Sequence, residues 1–267
     1  MEIPASLPQR KTIALHSANT AYLDVGQGET IVALHGIPTS SLLFAPLARR
    51  LNAFRLIAPD LLGQGLTETP PTGQLGHSPY AEHLREFMNA VPPERFHLMI
   101  HDLGGVLGLD WATDNIERVK SLIVLSTTIT KSLRVGVLLY AANLIFGRSL
   151  LRFGMTSTLK RPQKLEPALL NEWVRPWSRR RILRGMDHFA GRHLERIRGK
   201  LDRIRVPVLV IWGEQDDIFP LRHASSIIKA LPQSKLLTIG HCGHWSPLDA
   251  PDEIAQSVKE SLGARGN

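Results

Sequence analysis

The stretch Phe96 to Leu107, F-H-L-M-I-H-D-L-G-G-V-L, most constrains how this chain can fold. Phe96 to Ile100 is a short apolar run of the kind a fully buried strand requires. It stops at His101-Asp102, and Gly104-Gly105 open an apolar-periodic segment that predicts a helix. A strand, a sharp turn carrying one reactive side chain and a helix form the layout of a nucleophile elbow. Here the side chain at the turn is Asp102. At a helix N-terminus its carboxylate meets the positive end of the helix dipole and free N–H groups, which are expected to keep it ionised. The plainer reading is an N-cap, a position where Asp is favoured.

The rest of the chain repeats the alternation. Strands are predicted at Lys11–Leu15, Ala21–Val25, Thr30–Leu34, Arg55–Ala58, Val119–Leu125, Pro207–Trp212 and Lys235–Ile239. Helices are predicted at Leu42–Leu51, Tyr80–Ala90, Leu221–Leu231 and Ala250–Leu262. Gly26-Gln27-Gly28 reads as a hairpin-type turn between the second and third strands. Strands alternating with helices argue for an α/β fold, a mostly parallel doubly wound sheet covered on both faces. Ligands in such folds bind at the carboxyl ends of the strands. His35, Asp60 and Asp102 all fall just after strands, on that edge. In His35-Gly36-Ile37-Pro38, Gly36 permits an unusual backbone angle and Pro38 sets the turn, so the Ile37 N–H can point into a pocket. Asp60 to Gly65 is Gly-rich but has neither Lys-Ser/Thr nor G-x-G-x-x-G, which argues against a phosphate cradle.

Between Thr130 and Arg205 the alternation stops. Five helical patterns follow without a strand: Gly136–Phe146, Leu150–Met155, Glu166–Trp173, Ser178–Phe189 and Leu194–Ile204. The chain carries a formal charge of +8, but residues 131–205 hold 18 Lys and Arg against 5 Asp and Glu, leaving the remainder acidic. Residues 130–205 are therefore expected to be a basic, helical cap inserted between core segments 1–129 and 206–267. A solvated helical face is the default reading of the basic block, ahead of contact with a membrane surface or attraction of an anionic substrate. Few aromatics interleave with it and no nucleic-acid motif is present, so no nucleic-acid partner is expected. The expected partner is a small-molecule substrate; oligomeric state is not legible. The longest uncharged apolar run, Val135 to Gly147, is too short to span a bilayer comfortably. The N-terminal residues have no long apolar region, and one cysteine allows no internal disulfide, so a cytoplasmic location is expected.

Two more post-strand loops complete a chemical set. Gly213-Glu214-Gln215-Asp216-Asp217-Ile218-Phe219-Pro220 follows one strand, and His241-Cys242-Gly243-His244-Trp245 follows the last. Asp102, Asp216 and His244 occur in the chain order nucleophile, acid, histidine. Taken singly, Asp216 is an ordinary turn residue and His244 an ordinary loop histidine. With the motifs H-G-I-P-T-S-S, D-L-L-G-Q-G, H-D-L-G-G, W-G-E-Q-D-D-I-F-P and G-H-W-S-P-L-D-A-P-D-E-I, the chain resembles α/β-hydrolase fold proteins. Within them it is similar to the branch with an aspartate nucleophile, the haloalkane dehalogenases and epoxide hydrolases. The resemblance implies that Asp102 attacks an sp³ carbon to form an alkyl ester. Water activated by His244 then cleaves the ester, Asp216 orients His244, and the Ile37 and Leu103 N–H groups form the oxyanion hole. Asp217 is the second choice for the acid.

The chain departs from both subfamilies at the leaving-group donors. Leu103 and Ile37 stand where the dehalogenases place Trp and Asn. Trp173 and Trp177 are candidate cap donors, with core packing as the alternative. Fluoroacetate dehalogenases place Arg after the nucleophile, and Leu103 does not match. Epoxide hydrolases use a pair of cap tyrosines; the cap here has Tyr140, with His188 a candidate substitute for the second. Epoxide opening is therefore preferred over dehalogenation, on an apolar small molecule, with an anionic group on it as a further option. A lyase or decarboxylase using the same pocket and a non-catalytic binding protein are the readings from other classes. Cys242 is read as a packed thiol. His241 and His244 belong to no ligand set of recognisable spacing, so neither metal nor cofactor is expected.

Overall fold

The computed structural model describes residues 8–70, 76–130, 148–161, 165–176 and 191–263. Its eight strands are β1 (Lys11–Ala14), β2 (Asn19–Val25), β3 (Glu29–Leu34), β4 (Phe54–Pro59), β5 (Phe96–His101), β6 (Val119–Leu125), β7 (Val208–Gly213) and β8 (Ser234–Ile239). They form one sheet in the order β1-β2-β4-β3-β5-β6-β7-β8. The β1–β2 and β2–β4 pairs are antiparallel and every other pair is parallel. All eight strand predictions fall within two residues of these bounds.

The helices are α1 (Ala45–Ala48), α2 (His77–Ala90), α3 (Leu103–Asp114), α4 (Arg148–Thr158), α5 (Pro167–Val174), α6 (Gly191–Arg198), α7 (Arg222–Ala230), α8 (Ser246–Asp249) and α9 (Pro251–Ser261). Strand residues alternate between two apolar clusters, as the period of two requires. Val32, Leu34, Leu98, Ile100, Val124 and Val210 face a cluster closed by α2, α3, α6 and α7. Ile31, Ala33, Met99, Ile123 and Ile211 face the opposite cluster, closed by α4, α5 and α9. This is the covered, mostly parallel sheet that continuous apolar strands demand.

Three local expectations are corrected. Gly26-Gln27-Gly28 makes no hairpin: β2 pairs with β4, and β3 lies on the far side of β4. The positive φ of Gly26 and Gly28 (81° and 99°) instead carries the chain past the start of β4, letting the apolar β3 take an interior place. The helix expected at Leu42–Leu51 is a 3₁₀ turn, Ser41–Phe44, followed by the single turn α1. Pro46 in that first helical turn has no N–H with which to continue a ladder from the preceding residues. The helix expected at Leu194–Ile204 ends at Arg198, before Gly199, and resumes as a 3₁₀ turn at Leu201–Arg203. Among the described residues of 130–205 there are α4, α5, α6 and no strand; the expected helices Gly136–Phe146 and Ser178–Phe189 lie outside the described residues. No described helix is long and apolar enough to cross a membrane.

Helix α3 approaches β3 closely at Gly104. A Cβ there would lie 2.3 Å from the Leu34 carbonyl oxygen and 2.5 Å from that of His35. By contrast, a Cβ on Gly154, in α4, would meet nothing within 4 Å. Gly104→Ala is expected to lower stability by about 1–3 kcal/mol, because backbone must move. Gly154→Ala is expected to raise it by about 0.5–1 kcal/mol through helix propensity. Denaturant unfolding of the two variants beside the parent checks both signs.

Candidate active site

Strand β5 ends at His101, and Asp102 turns the chain into α3 with φ +50° and ψ −120°. A positive φ is strained for a residue with a Cβ, at about 1–3 kcal/mol. Backbone contacts hold the turn in place. The Asp102 N–H donates to the Ser126 carbonyl at 3.1 Å, and the Asp102 carbonyl accepts Thr127 Oγ1–H at 2.7 Å and Gly105 N–H at 3.0 Å. The Asp102 side chain makes no helix-capping hydrogen bond. Its Oδ1 instead accepts the Ile37 N–H at 2.8 Å, across from the loop after β3. Gly36 is required there for room rather than for its backbone angle: a Cβ would lie 2.1 Å from Asp102 Oδ1.

Oδ2, the other carboxylate oxygen, lies 3.7 Å from His244 Nε2. His244 Nδ1–H donates to Asp216 Oδ2 at 3.1 Å, so in the neutral ring Nε2 carries the lone pair. Nε2 is buried without a hydrogen-bond partner. Asp216 is held in turn: its Oδ1 accepts the N–H groups of Ile218 (2.9 Å) and Phe219 (2.7 Å). Asp217, the second choice, points away and pairs with Lys160 at 2.8 Å. Aromatic rings enclose His244 on three sides, with centroids at 4.8 Å (Trp245), 4.9 Å (His101) and 5.4 Å (Phe219). The structure thus brings Asp102, Asp216, His244 and the Ile37 N–H together.

Burial, the largest influence, raises the pKa of Asp102; His244 and the N–H groups of Leu103 and Ile37 oppose it without cancelling it. Desolvation of the buried carboxylate thus outweighs the helix-terminal donors that face it in setting the direction of the shift. Burial also works against the charged form of His244. There the Asp216 carboxylate, then Asp102, outweighs it, and the histidine pKa is raised. Asp216 has the opposite balance from Asp102: burial pushes it up, but His244 and the Phe219 N–H carry it below its ordinary value.

Several positioning groups had no marked signal in the sequence. His101 Nε2–H donates to the His244 carbonyl at 2.9 Å, and burial holds this imidazole neutral, with a pKa lowered to about 3. Asp249 accepts the N–H of Gly243 (3.0 Å) and those of Lys160 and Arg161 (3.0 and 3.1 Å). It thereby ties the His244 loop to the end of α4. Arg10 is buried between two carboxylates: Nη1 lies 2.7 Å from Asp60 Oδ2, and Nη2 lies 2.6 Å from Glu172 Oε2. Of the cap candidates, Trp173 is fully buried and donates its indole N–H to Ser40 Oγ at 2.8 Å, the arrangement of a packed residue. Tyr140, Trp177 and His188 lie outside the described residues. Cys242 is a buried thiol whose pKa burial pushes up. No cluster of three or more His, Cys, Asp or Glu suited to a metal occurs among the described residues.

Comparison with known proteins places this geometry. The chain is 27% identical over 270 residues to a cis-3-alkyl-4-alkyloxetan-2-one decarboxylase from Shewanella oneidensis, covering 90% of this chain and 84% of that protein. It is 37% identical over 121 residues to a haloalkane dehalogenase from Sphingobium indicum, covering 43% of this chain and 40% of that one. A solved epoxide hydrolase shares the fold at a TM-score of 0.77 with 21% identity, over 96% of this chain and 98% of its own. The sequence pattern of the alpha/beta hydrolase fold matches residues 29–251. With the elbow after β5 and the sheet order described above, the chain belongs to the alpha/beta hydrolase fold family.

Proposed function

We propose that this protein is a hydrolase in which Asp102 is the nucleophile and a covalent alkyl ester the intermediate. Its favoured substrates are epoxides on an apolar small molecule, including those that also carry an anionic group. The observation that carries this reading is the division of labour between the two oxygens of Asp102. Oδ1 is held by the Ile37 N–H at 2.8 Å, while Oδ2 faces His244 Nε2 at 3.7 Å. Oδ2 attacks an sp³ carbon and becomes the ester oxygen. Oδ1 becomes the ester carbonyl, already on the donor that stabilises the oxyanion when water adds at Cγ. His244 Nε2 takes the proton of that water, and Asp216 stabilises the imidazolium. Splitting the reaction in this way replaces one difficult step with two easier ones. A carboxylate at the elbow suits strained oxygen rings, which open without a halide site. The ring oxygen then needs a proton, and Tyr140, with His188, is the proposed source. Residues 130–205 are the proposed cap over this site.

A second reading has one observation in its favour. The decarboxylase relative spans 90% of this chain, against 43% for the dehalogenase. An oxetan-2-one is also a strained oxygen ring that a carboxylate can open at an sp³ carbon. Opening releases the ring carboxylate on the carbon next to the ester. Loss of CO₂ then forms an alkene and expels Asp102 as the free carboxylate, with no water consumed.

Intact-protein mass spectrometry after separate incubation with panels of epoxides, 1-haloalkanes and oxetan-2-ones separates these chemistries. His244→Gln should slow ester hydrolysis by about 10²–10⁴-fold, so the ester accumulates. A gain of the whole epoxide mass marks epoxide opening; a gain of the alkyl group without halogen marks dehalogenation. Alkene and CO₂ released by His244→Gln from an oxetan-2-one, without lasting adduct, mark decarboxylation. Asp102→Asn should give none of these. No adduct or product from any of the three panels would reject the aspartate-nucleophile reading.

The pH dependence follows from the two raised pKa values. The first step needs Asp102 ionised and the second needs His244 neutral, so acid removes both. Turnover is expected to fall as pH drops through the range in which these two groups take up protons. Once the ester forms, the charge on Asp102 is gone and Asp216 is the largest remaining influence raising His244. In Asp216→Asn the midpoint for ester hydrolysis should therefore move down, as read by rapid-quench kinetics across pH.

A further inference from the structure

The chemistry above leaves a buried charge cluster unused. The side chains of Arg10, Asp60 and Glu172 are 1%, 0% and 9% exposed. Arg10 Nη1 donates to Asp60 Oδ2 at 2.7 Å and to Glu172 Oε1 at 2.9 Å, and Nη2 donates to Glu172 Oε2 at 2.6 Å. Burying ions costs about as much as their mutual attraction returns, so stability is a poor account of such a cluster. Its contacts suggest placement instead: both carboxylates reach the loop that carries Ile37, Asp60 through Ser41 and Glu172 through Ser40, while Asp60 Oδ2 also accepts the Leu66 N–H at 2.9 Å.

Asp60 Oδ1 accepts the Ser41 N–H at 2.8 Å. Glu172 Oε1 accepts Ser40 Oγ–H at 2.9 Å, and Ser40 Oγ accepts the Trp173 indole N–H at 2.8 Å. Within the loop, Thr39 N–H and Oγ1–H both donate to the Gly36 carbonyl at 3.0 Å. That oxygen also accepts His35 Nδ1–H at 2.9 Å. His35 Nε2 is occupied by the Leu61 N–H, which fixes the tautomer. The loop is thus tied internally from His35 to Thr39, and the adjoining Ser40 and Ser41 are tied to the charge cluster and to Trp173.

We propose that Arg10 and Glu172 are positioning residues: they clamp α5 onto the Ser40–Ser41 end of the loop and thereby keep the Ile37 N–H aimed at Asp102 Oδ1. Arg10 precedes the matched family region, residues 29–251, and Glu172 lies in the segment inserted between β6 and β7. The clamp therefore joins two elements peripheral to the sheet to the donor that meets developing charge. The catalytic part of this inference rests on Asp102 being the nucleophile; the part concerning loop geometry does not.

The test uses the full chain with Glu172→Gln, Arg10→Lys and Ser40→Ala. Amide hydrogen exchange is read by mass spectrometry on peptides covering residues 35–44, with peptides from β5 and β6 as the reference. Glu172→Gln and Ser40→Ala should raise exchange in the loop by about tenfold while the reference strands stay unchanged. With a substrate found in the panels above, kcat should fall by about 10–100-fold with KM nearly constant, and the ester should accumulate. Arg10→Lys, which keeps the charge, should show smaller changes in both readings than Glu172→Gln. Unchanged loop exchange in folded variants overturns the proposal. So does an equal rise in loop and strands, which marks a stability role only, and so does faster loop exchange with unaltered kcat. Should Glu172→Gln not fold, Ser40→Ala decides by the same readings. If the parent forms no ester with any panel compound, the nucleophile reading fails, while loop exchange still decides whether the clamp exists.

Discussion

The close seat of α3 on β3 is the constraint from which the site follows. With Gly104 within van der Waals reach of two β3-end carbonyls, the helix starts almost on top of the strand. The connection from β5 then has a single residue, Asp102, in which to reverse direction, and it does so at a positive φ. The local strain is offset by backbone bonds to Ser126 and Thr127 at the end of β6. Three adjacent strands thus fix one side chain. The same proximity brings the loop after β3 against it, so the Ile37 N–H arrives at Oδ1 without a dedicated binding element.

Asp102 and Asp216 are the same residue type with opposite pKa displacements, and the difference is environmental. Asp216 has two backbone N–H groups on Oδ1 and a close histidine on Oδ2. Asp102 accepts the Ile37 N–H at 2.8 Å and faces a more distant histidine at 3.7 Å, and burial outweighs these contacts. The carboxylate with more and closer donors is suited to remain an anion beside His244. The one with fewer donors is more basic and less stabilised as an anion, which suits the nucleophile role proposed for it.

The segment between β6 and β7 is bound into the core at both site loops. Thr158 accepts the Trp245 indole N–H, and the following Lys160 and Arg161 amides meet Asp249. Glu172 and Trp173 hold Ser40. Met155, Leu169 and Trp173 enter one core cluster, while Leu194 and Ile197 enter the other. Among the described residues, these helices share the core's packing.

The sequence alone determined the sheet's strands, because buried parallel strands are continuous apolar runs whose ends coincide with Gly, Pro and charged residues. It also singled out Asp102, Asp216 and His244, since each stands directly after such a run. Tertiary structure decided what depends on distance between segments. It placed β4 between β2 and β3, where a hairpin turn was expected. It chose Asp216 over the adjacent Asp217 by which carboxylate faced His244, and assigned Trp173 to Ser40. It set the direction of the Asp102 pKa through desolvation, a property of the surrounding packing rather than of a helix terminus. The Arg10–Glu172 pair, 162 residues apart in the chain, had no local pattern to announce it. An ion pair between distant segments leaves no periodicity or spacing in the sequence, because its partners meet only when the fold closes.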